Sequence, residues 1–597
     1  MTGRWNLEDL YAGFDSRDFI ADYEGLGGYV ERINAYAASL KTFADVSALV
    51  GEIEQYYSAA QRIGEYAGFV FSADTGNQEA AKYLYKIETL DAEISRARVR
   101  LSAYLAEAER SGGMERQAEA HGLGEYIYQF KRMAEQSKHQ MSEDEEALTA
   151  KLTATGSSAW GMLRDKLISD LKCDYDGKKI TVNECRNLAY SNDAKVRKAA
   201  YEAELAAYPK IAESAAACIN GIKGEVNLLT GLRHFESPLA QALFGSAMTQ
   251  KTLDAMFAAI DGNIRHFRDY FKAKAAYLAK ISGAAESGAK AEGLPFYDLF
   301  APVGAAPDKV FTYDDAKKFV LENFGRFSPK LAETAREAFD RGWIDVYPRE
   351  GKVGGAFCGH VYAIKQFRIL MNFGDSISDA ITLAHELGHG YHSMNVMKER
   401  ILNAEYPMPL AETASTFCEN VVNNAALAVL PDGEKFQMLE NSIQDAAQVI
   451  VDIYSRYLFE KRVFETRSDH PLSVEELNGL MLDAQKAAYG DGLDPEYMHP
   501  YMWVIKPHYY SGQLSFYNFP YAFGNLLANG LYKIYESDPA SFGDKYDAFL
   551  NVTGKMSVRD ACAQIGVDVE QKRFWENSLS VIIERIKEFE RLAATAV

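Results

Sequence analysis

The stretch AHELGHGYH, residues 384–392, sets His385 and His389 four positions apart, with Glu386 directly after the first histidine. On a helix, positions i and i+4 share a face, with Cβ atoms about 5–6 Å apart. Two imidazoles placed this way can point at one ion, at zinc–nitrogen distances of about 2.0–2.1 Å. Glu386 is rotated by about 100° from His385, too far round to ligate easily but within reach of a water at the ion. Two ligands and one general base on a single helical turn suit metal-assisted hydrolysis of an amide. Eleven histidines and 84 acidic residues in 597 positions supply such a match by chance in only about 3 chains in a hundred. A metal site therefore outweighs an ordinary solvated helix face. His392, three positions after His389, stays near the same face. Its reading is open between supporting the site, lining a substrate cleft, and a hydrogen-bonded helix histidine.

A catalytic zinc keeps three protein ligands and one open position, so a third ligand should follow. Downstream lies EYPMPLAETASTFCENVV, residues 405–422. Pro407 and Pro409 end one element and set up the next, because proline is tolerated at a helix start. Glu412 and Glu419, seven apart, then share a helical face. Glu412 is the choice for third ligand, and Glu419 for the carboxylate that orients an imidazole. Glu405 competes for the ligand role, but it precedes the prolines and is expected in a loop.

These residues need elements to hold them. Asp375 or Ser378 can cap a motif helix over 378–393, with Ala380, Leu383, Ala384 and Leu387 at helical spacing. A third-ligand helix is expected over 410–425. Gly388 and Gly390 each cost a helix about 1 kcal/mol against alanine. Two of them beside the histidines predict that the Glu412–Glu419 helix packs very close there. Just upstream, WIDVYP, GGAFCGHVYAI and FRILMNF form the best strand cluster in the chain, over 343–374. Elsewhere the period is helical, as in Ile53, Tyr56, Ala60, Ile63, Ala67 and Val70. A hairpin around Asp176-Gly177 is expected within 171–182, and a glycine-rich surface loop within 281–304. The fold class is mostly α with one small β-sheet next to the motif helix. Two domains are expected, a helical one over 1–190 and a catalytic one over 191–597.

Composition narrows the partners. The net charge of −20 repels phosphate backbones and anionic lipid, so neither nucleic acid nor a membrane surface is expected as partner. The six cysteines are scattered without a CxxC pair, which argues against a disulfide framework or a thiolate zinc site. MTGRWNLEDLYAGF lacks the apolar core of a signal peptide, and no run of 18 apolar residues occurs. A cytoplasmic location is expected.

With these motifs in place, the chain resembles the oligoendopeptidase F branch of the thimet-oligopeptidase-like zinc metallopeptidases. FRILMNFGDSISDAITLAHELGHGYHS, LAETASTFCE and KPHYYSGQLSFYNFPYAFG carry the resemblance, together with WNLEDLY and LPFYDLFAP. It implies a two-lobed helical fold around a deep substrate channel, one Zn²⁺ per chain, and internal cleavage of short unstructured oligopeptides. By motif position, His385, His389 and Glu412 would be the ligands and Glu386 the base. ILMNF would pair with the extended substrate through residues such as Met371 and Asn372, and Gly354 and Gly355 would border the channel. The His/Tyr segment over 507–524 would hydrogen-bond the substrate carbonyl as its oxygen gains charge. There His508 matches the family histidine, Tyr510 and Tyr517 are the first candidate tyrosines, and Tyr521 is the next. Phe519 stands where the family often has a tyrosine. A carboxypeptidase or dipeptidyl carboxypeptidase on the same scaffold is the alternative enzyme. A peptide-binding protein with a vestigial site is the alternative outside catalysis.

Overall fold

The computed structural model describes residues 3–282, 293–304 and 310–595. Helices dominate it, with two small sheets. The two-stranded sheet is the expected hairpin, β1 (Lys172–Tyr175) against β2 (Lys178–Thr181). Asp176 and Gly177 turn it with φ of 49° and 71°, the doubly left-handed turn that matches strand twist. The other sheet falls in the expected cluster: β3 (Ile344–Asp345), β4 (Phe357–Val361) and β5 (Gln366–Leu370). Part of the glycine-rich loop expected over 281–304, residues 283–292, lies outside the described residues.

The chain forms two compact units, each assembled from three segments. One comprises 1–140, 309–426 and 534–567; the other comprises 141–308, 427–533 and 568–597. The first contains the motif helix and the three-stranded sheet. Its long helix Phe43–Ala73 buries Ile53, Tyr56, Ala60, Ile63 and Ala67 as the periodicity predicted, while Val70, near its end, is half-buried. The opening residues WNLEDLY belong to this core. Trp5 packs against Phe69 and Phe357, and the Asn6 carbonyl accepts the buried Arg368 guanidinium at 2.8 Å.

The three-stranded sheet runs β3-β5-β4, with β5 parallel to β3 and antiparallel to β4. One face meets the helix Phe43–Ala73: a Cβ on Gly359 would stand 2.6 Å from Phe69 and 2.8 Å from Glu65. The other meets the motif helix, where a Cβ on Gly390 would stand 2.6 Å from the Phe367 ring. The small sheet therefore lies directly beside the helix that carries the histidines.

Candidate active site

The motif helix spans Ile377–Val396. Its cap is Ser376, between the two residues expected for the role. Ser376 has extended backbone (φ −115°, ψ 159°) and forms a capping box with Asp379. Asp375 is excluded by its left-handed φ of 59°, since a cap residue needs the extended region. The partner helix spans Met408–Val429. A Cβ on Gly388 would lie 2.6 Å from the Ala414 carbonyl oxygen and 2.7 Å from Ser415 Cα. The close approach predicted from the glycines is thus made by Gly388. Gly390 faces strand β5 instead. On its far side the partner helix is anchored by Phe417, which packs with Phe327, Tyr535, Phe542 and Tyr546.

This packing brings His385, His389 and Glu412 together, with one ligand atom from each within 4.8 Å of the others. Glu412 Oε2 lies 3.3 Å from His385 Nε2 and 3.5 Å from His389 Nε2. Two ligands at zinc distances on a tetrahedral centre are about 3.4 Å apart, so Glu412 stands at ligand spacing from both imidazoles. Nδ1 of His385 faces Glu419 Oε2 at 3.3 Å, the contact that fixes an imidazole's tautomer and direction. Burial works to lower the pKa of His385, but the bonds to Glu412 and Glu419 outweigh it and hold it up at about 10. Burial works to raise Glu412, while His385 and His389 hold it well below the usual carboxylate range. Ser415, not singled out from sequence, donates its hydroxyl to Glu412 Oε2 at 3.0 Å. Its spacing of three from Glu412 was the available signal. Glu405, the competing ligand, is not part of this cluster.

Glu386 is 5% exposed, and its Oε2 has no hydrogen-bond partner among the described residues. Burial raises its pKa, against the pull of His385 and His389. A carboxylate kept dry in this way has increased proton affinity, as a general base needs. His392 is not presented to a ligand: it is fully buried, bonded through Nε2 to Thr553 Oγ1 at 2.8 Å, and stacked on Tyr406 at 3.9 Å.

ILMNF does not offer a free strand edge. β5 is the central strand, and Ile369, Met371 and Phe373 donate their N–H groups to Trp343, Asp345 and Val346. The Met371 carbonyl accepts the Lys352 ammonium. Asn372 uses its amide on the carbonyls of Val353 at 3.0 Å and Gly355 at 2.8 Å, holding the loop that carries Gly354 and Gly355. The N-terminal segment caps β3, with Val346 N donating to Gly3 O at 2.8 Å. Among the described residues, no backbone hydrogen bond pairs the outer edge of β4. Side-chain alternation turns Cys358 and His360 of β4 toward the motif helix, opposite Gly359.

The second unit holds the His/Tyr segment. Pro507–Tyr510 is a short 3₁₀ turn, and a helix resumes at Phe519–Ser537. The His508 ring lies 6.4 Å from that of Tyr517, and the Tyr517 and Tyr521 hydroxyls are 2.9 Å apart. Both tyrosines are partly exposed. Tyr510 differs: it is 5% exposed, with the Arg164 guanidinium over its ring at 5.0 Å. Burial, aided by Arg456 and Lys506, lowers the His508 pKa to about 3 and keeps the ring neutral. Its Nε2 is buried without a partner among the described residues.

A sequence model of Peptidase family M3 matches residues 187–581, and one described as Oligopeptidase F matches 114–172. The chain is 24% identical over 603 aligned positions to oligopeptidase PepF of Bacillus subtilis (strain 168), covering 98% of this chain and 87% of that protein. It is 23% identical to an oligoendopeptidase F homolog of Borreliella burgdorferi, covering 99% and 98%. A Chlamydophila abortus crystal structure shares the fold with a TM-score of 0.82 at 19% identity, covering 99% of this chain and 98% of that one. Oligoendopeptidase-F from Enterococcus faecium does so with a TM-score of 0.69 at 19% identity, covering 97% and 99%.

Proposed function

The chain belongs to peptidase family M3, a family of metallopeptidases, and we propose that it is a zinc-dependent endopeptidase acting on short, unstructured oligopeptides. The observation that carries this reading is the spacing of His385, His389 and Glu412, which fits a tetrahedral ion. His385, His389 and Glu412 would hold Zn²⁺. Bound there, the ion would supply Lewis acidity and draw the pKa of water down toward about 7.

This chain's residues then divide the work. Glu386 takes a proton from the attacking water and returns it to the leaving amine, and its dry setting raises its affinity for that proton. Glu419 orients His385, and Ser415 orients Glu412. The open edge of β4 is the surface on which an extended peptide can add as a strand. By the family resemblance, neutral His508 and the hydroxyl of Tyr517, which is paired with Tyr521, would donate to the carbonyl oxygen as it gains charge. All six cysteines are free thiols, which supports a reducing compartment such as the cytoplasm.

The test is a quenched peptide with both termini blocked, assayed with and without chelator, using the wild type and Glu386→Gln. Cleavage that chelator abolishes, and loss of at least about 10² in turnover for Glu386→Gln with zinc retained, are expected. An intact blocked peptide would move the reading to an exopeptidase. Full activity of Glu386→Gln would end the assignment of the base.

A further inference from the structure

A buried ion pair stands behind the His/Tyr segment. Lys223, on the helix Ala212–Leu232, and Glu460, on the helix Ile453–Arg467, meet at 2.7 Å with side chains 0% and 3% exposed. Such pairs add little stability in themselves, because desolvating both charges offsets their attraction. Glu460 does something further. Its Oε1 holds Lys223, and its Oε2 accepts the backbone N–H of Phe516 at 3.1 Å.

Phe516 is held in an unusual state. Its φ of 54° lies in the left-handed region, rare for a bulky side chain unless its surroundings enforce it. They do so here. The Phe516 ring packs 5.6 Å from Phe464 and 5.6 Å from Tyr457, and the Lys223 ammonium lies 4.6 Å from the Phe464 ring centre. One helical turn before Glu460, Arg456 donates to Asn518 Oδ1 at 3.4 Å and is itself paired with Asp452. The same helix therefore grips the residues on both sides of Tyr517.

We propose that the buried Lys223–Glu460 pair, with Arg456, is a positioning device that fixes the backbone at 516–518 and so aims the Tyr517 hydroxyl. The inference rests on the reading of Tyr517 as a carbonyl donor. None of the three residues needs to touch substrate. Their role is to hold a strained turn in one state, so that the donor pays no reorganisation at the moment of reaction.

Two double variants separate anchoring from charge. Lys223→Met/Glu460→Gln removes both charges but keeps an oxygen for the Phe516 N–H. Lys223→Met/Glu460→Met removes that acceptor as well, at similar volume. Hydrogen exchange of the 511–518 backbone is followed alongside kcat and KM on the blocked peptide, each with and without Tyr517→Phe. The Gln pair is expected to keep kcat within about threefold; the Met pair is expected to lose about 30–100-fold in kcat at nearly unchanged KM. In the Met pair, Phe516 amide exchange should rise by about tenfold or more. Adding Tyr517→Phe to the Met pair should cost little more, since both act through one hydroxyl.

Wild-type exchange at Phe516 in the Met pair overturns the inference. So does a Met pair with unchanged kcat when Tyr517→Phe alone is slow; that result leaves the donor role of Tyr517 standing. If Tyr517→Phe alone keeps full kcat, the donor reading fails and the inference falls with it. Should the Met pair not fold, Glu460→Asp withdraws the carboxylate by one methylene while keeping its charge. Reduced kcat at unchanged KM supports the inference there, and wild-type kcat overturns it.

Discussion

Replacing Gly388 by alanine tests whether the helix contact, and not the motif alone, makes the proposed metal site. The new Cβ would stand 2.6 Å from the Ala414 oxygen, 2.7 Å from Ser415 Cα and 3.0 Å from the Ala414 carbonyl carbon. Carbon–carbon contacts are comfortable at about 3.5–4.0 Å, so the helices must separate by roughly 0.8 Å or more. All three atoms are backbone, and no rotamer change relieves them. Phe417, wedged among four other rings, resists the retreat. Glu412 lies two residues before Ala414 and moves with it. Its distances of 3.3 and 3.5 Å to the two imidazoles would then stretch toward about 4 Å, beyond the edge of a zinc tetrahedron. Overpacking costs about 1–3 kcal/mol, and removing a helical glycine returns about 1 kcal/mol. The metal-free protein should therefore lose no more than about 2 kcal/mol, while zinc affinity should fall about 10–100-fold. Denaturant unfolding of the metal-free protein and competition with a chromophoric chelator measure the two effects. Gly479→Ala is the control, because its Cβ meets nothing within 4 Å. Wild-type zinc affinity in Gly388→Ala would refute the reasoning.

Removing either carboxylate support should weaken the site without abolishing it. Ser415→Ala and Glu419→Gln should each lower zinc affinity by about 10-fold or more, and unchanged affinity in either would remove that residue from the site. Tyr517→Phe should lower kcat by about 10², whereas Tyr510→Phe, at a buried hydroxyl whose ring lies beneath Arg164, should change it little; equal losses would undo the distinction. His392 gives a stability prediction with a definite sign. Burial, reinforced by His389 and His360, lowers its pKa to about 3, below the unfolded value of about 6.5. The unfolded chain therefore takes up the proton first, and stability falls as pH drops below about 6.5 toward 3. Between pH 4 and 6 this contributes a slope of up to about 1.4 kcal/mol per pH unit. His392→Gln should flatten the measured slope by about that amount; an unchanged slope would contradict a neutral buried ring.

Much of the site could be read along the chain because helical spacing is a local property. His385, Glu386 and His389 share one turn, and the prolines mark the start of the helix carrying Glu412 and Glu419. The hairpin at Asp176-Gly177 and the small sheet were legible for the same reason: turn residues and β-branched runs act within a few positions. The strand edge was not legible. FRILMNF reads as a strand whether it is central or peripheral, and only the pairing of β3 and β4 on either side of β5 decides that its hydrogen bonds are already used. His392 shared a face with the ligands by spacing, yet Tyr406 and Thr553 enclose it.

Read along the chain, residue type and spacing were enough for the helical class, for the clustering of His385, His389 and Glu412 with Glu386 beside them, and for the close helix approach at Gly388. All of these follow from residue type and a fixed helical rise. Tertiary structure alone decided that each compact unit draws on three separated segments, that β4 carries the open edge, and that Tyr517 is the more accessible tyrosine while Tyr510 is packed away. It also joined Lys223 to Glu460 and Glu460 to Phe516, across 237 and 56 positions. Those outcomes depend on which surfaces meet after collapse. Residue spacing along the chain carries no record of contacts made at that range.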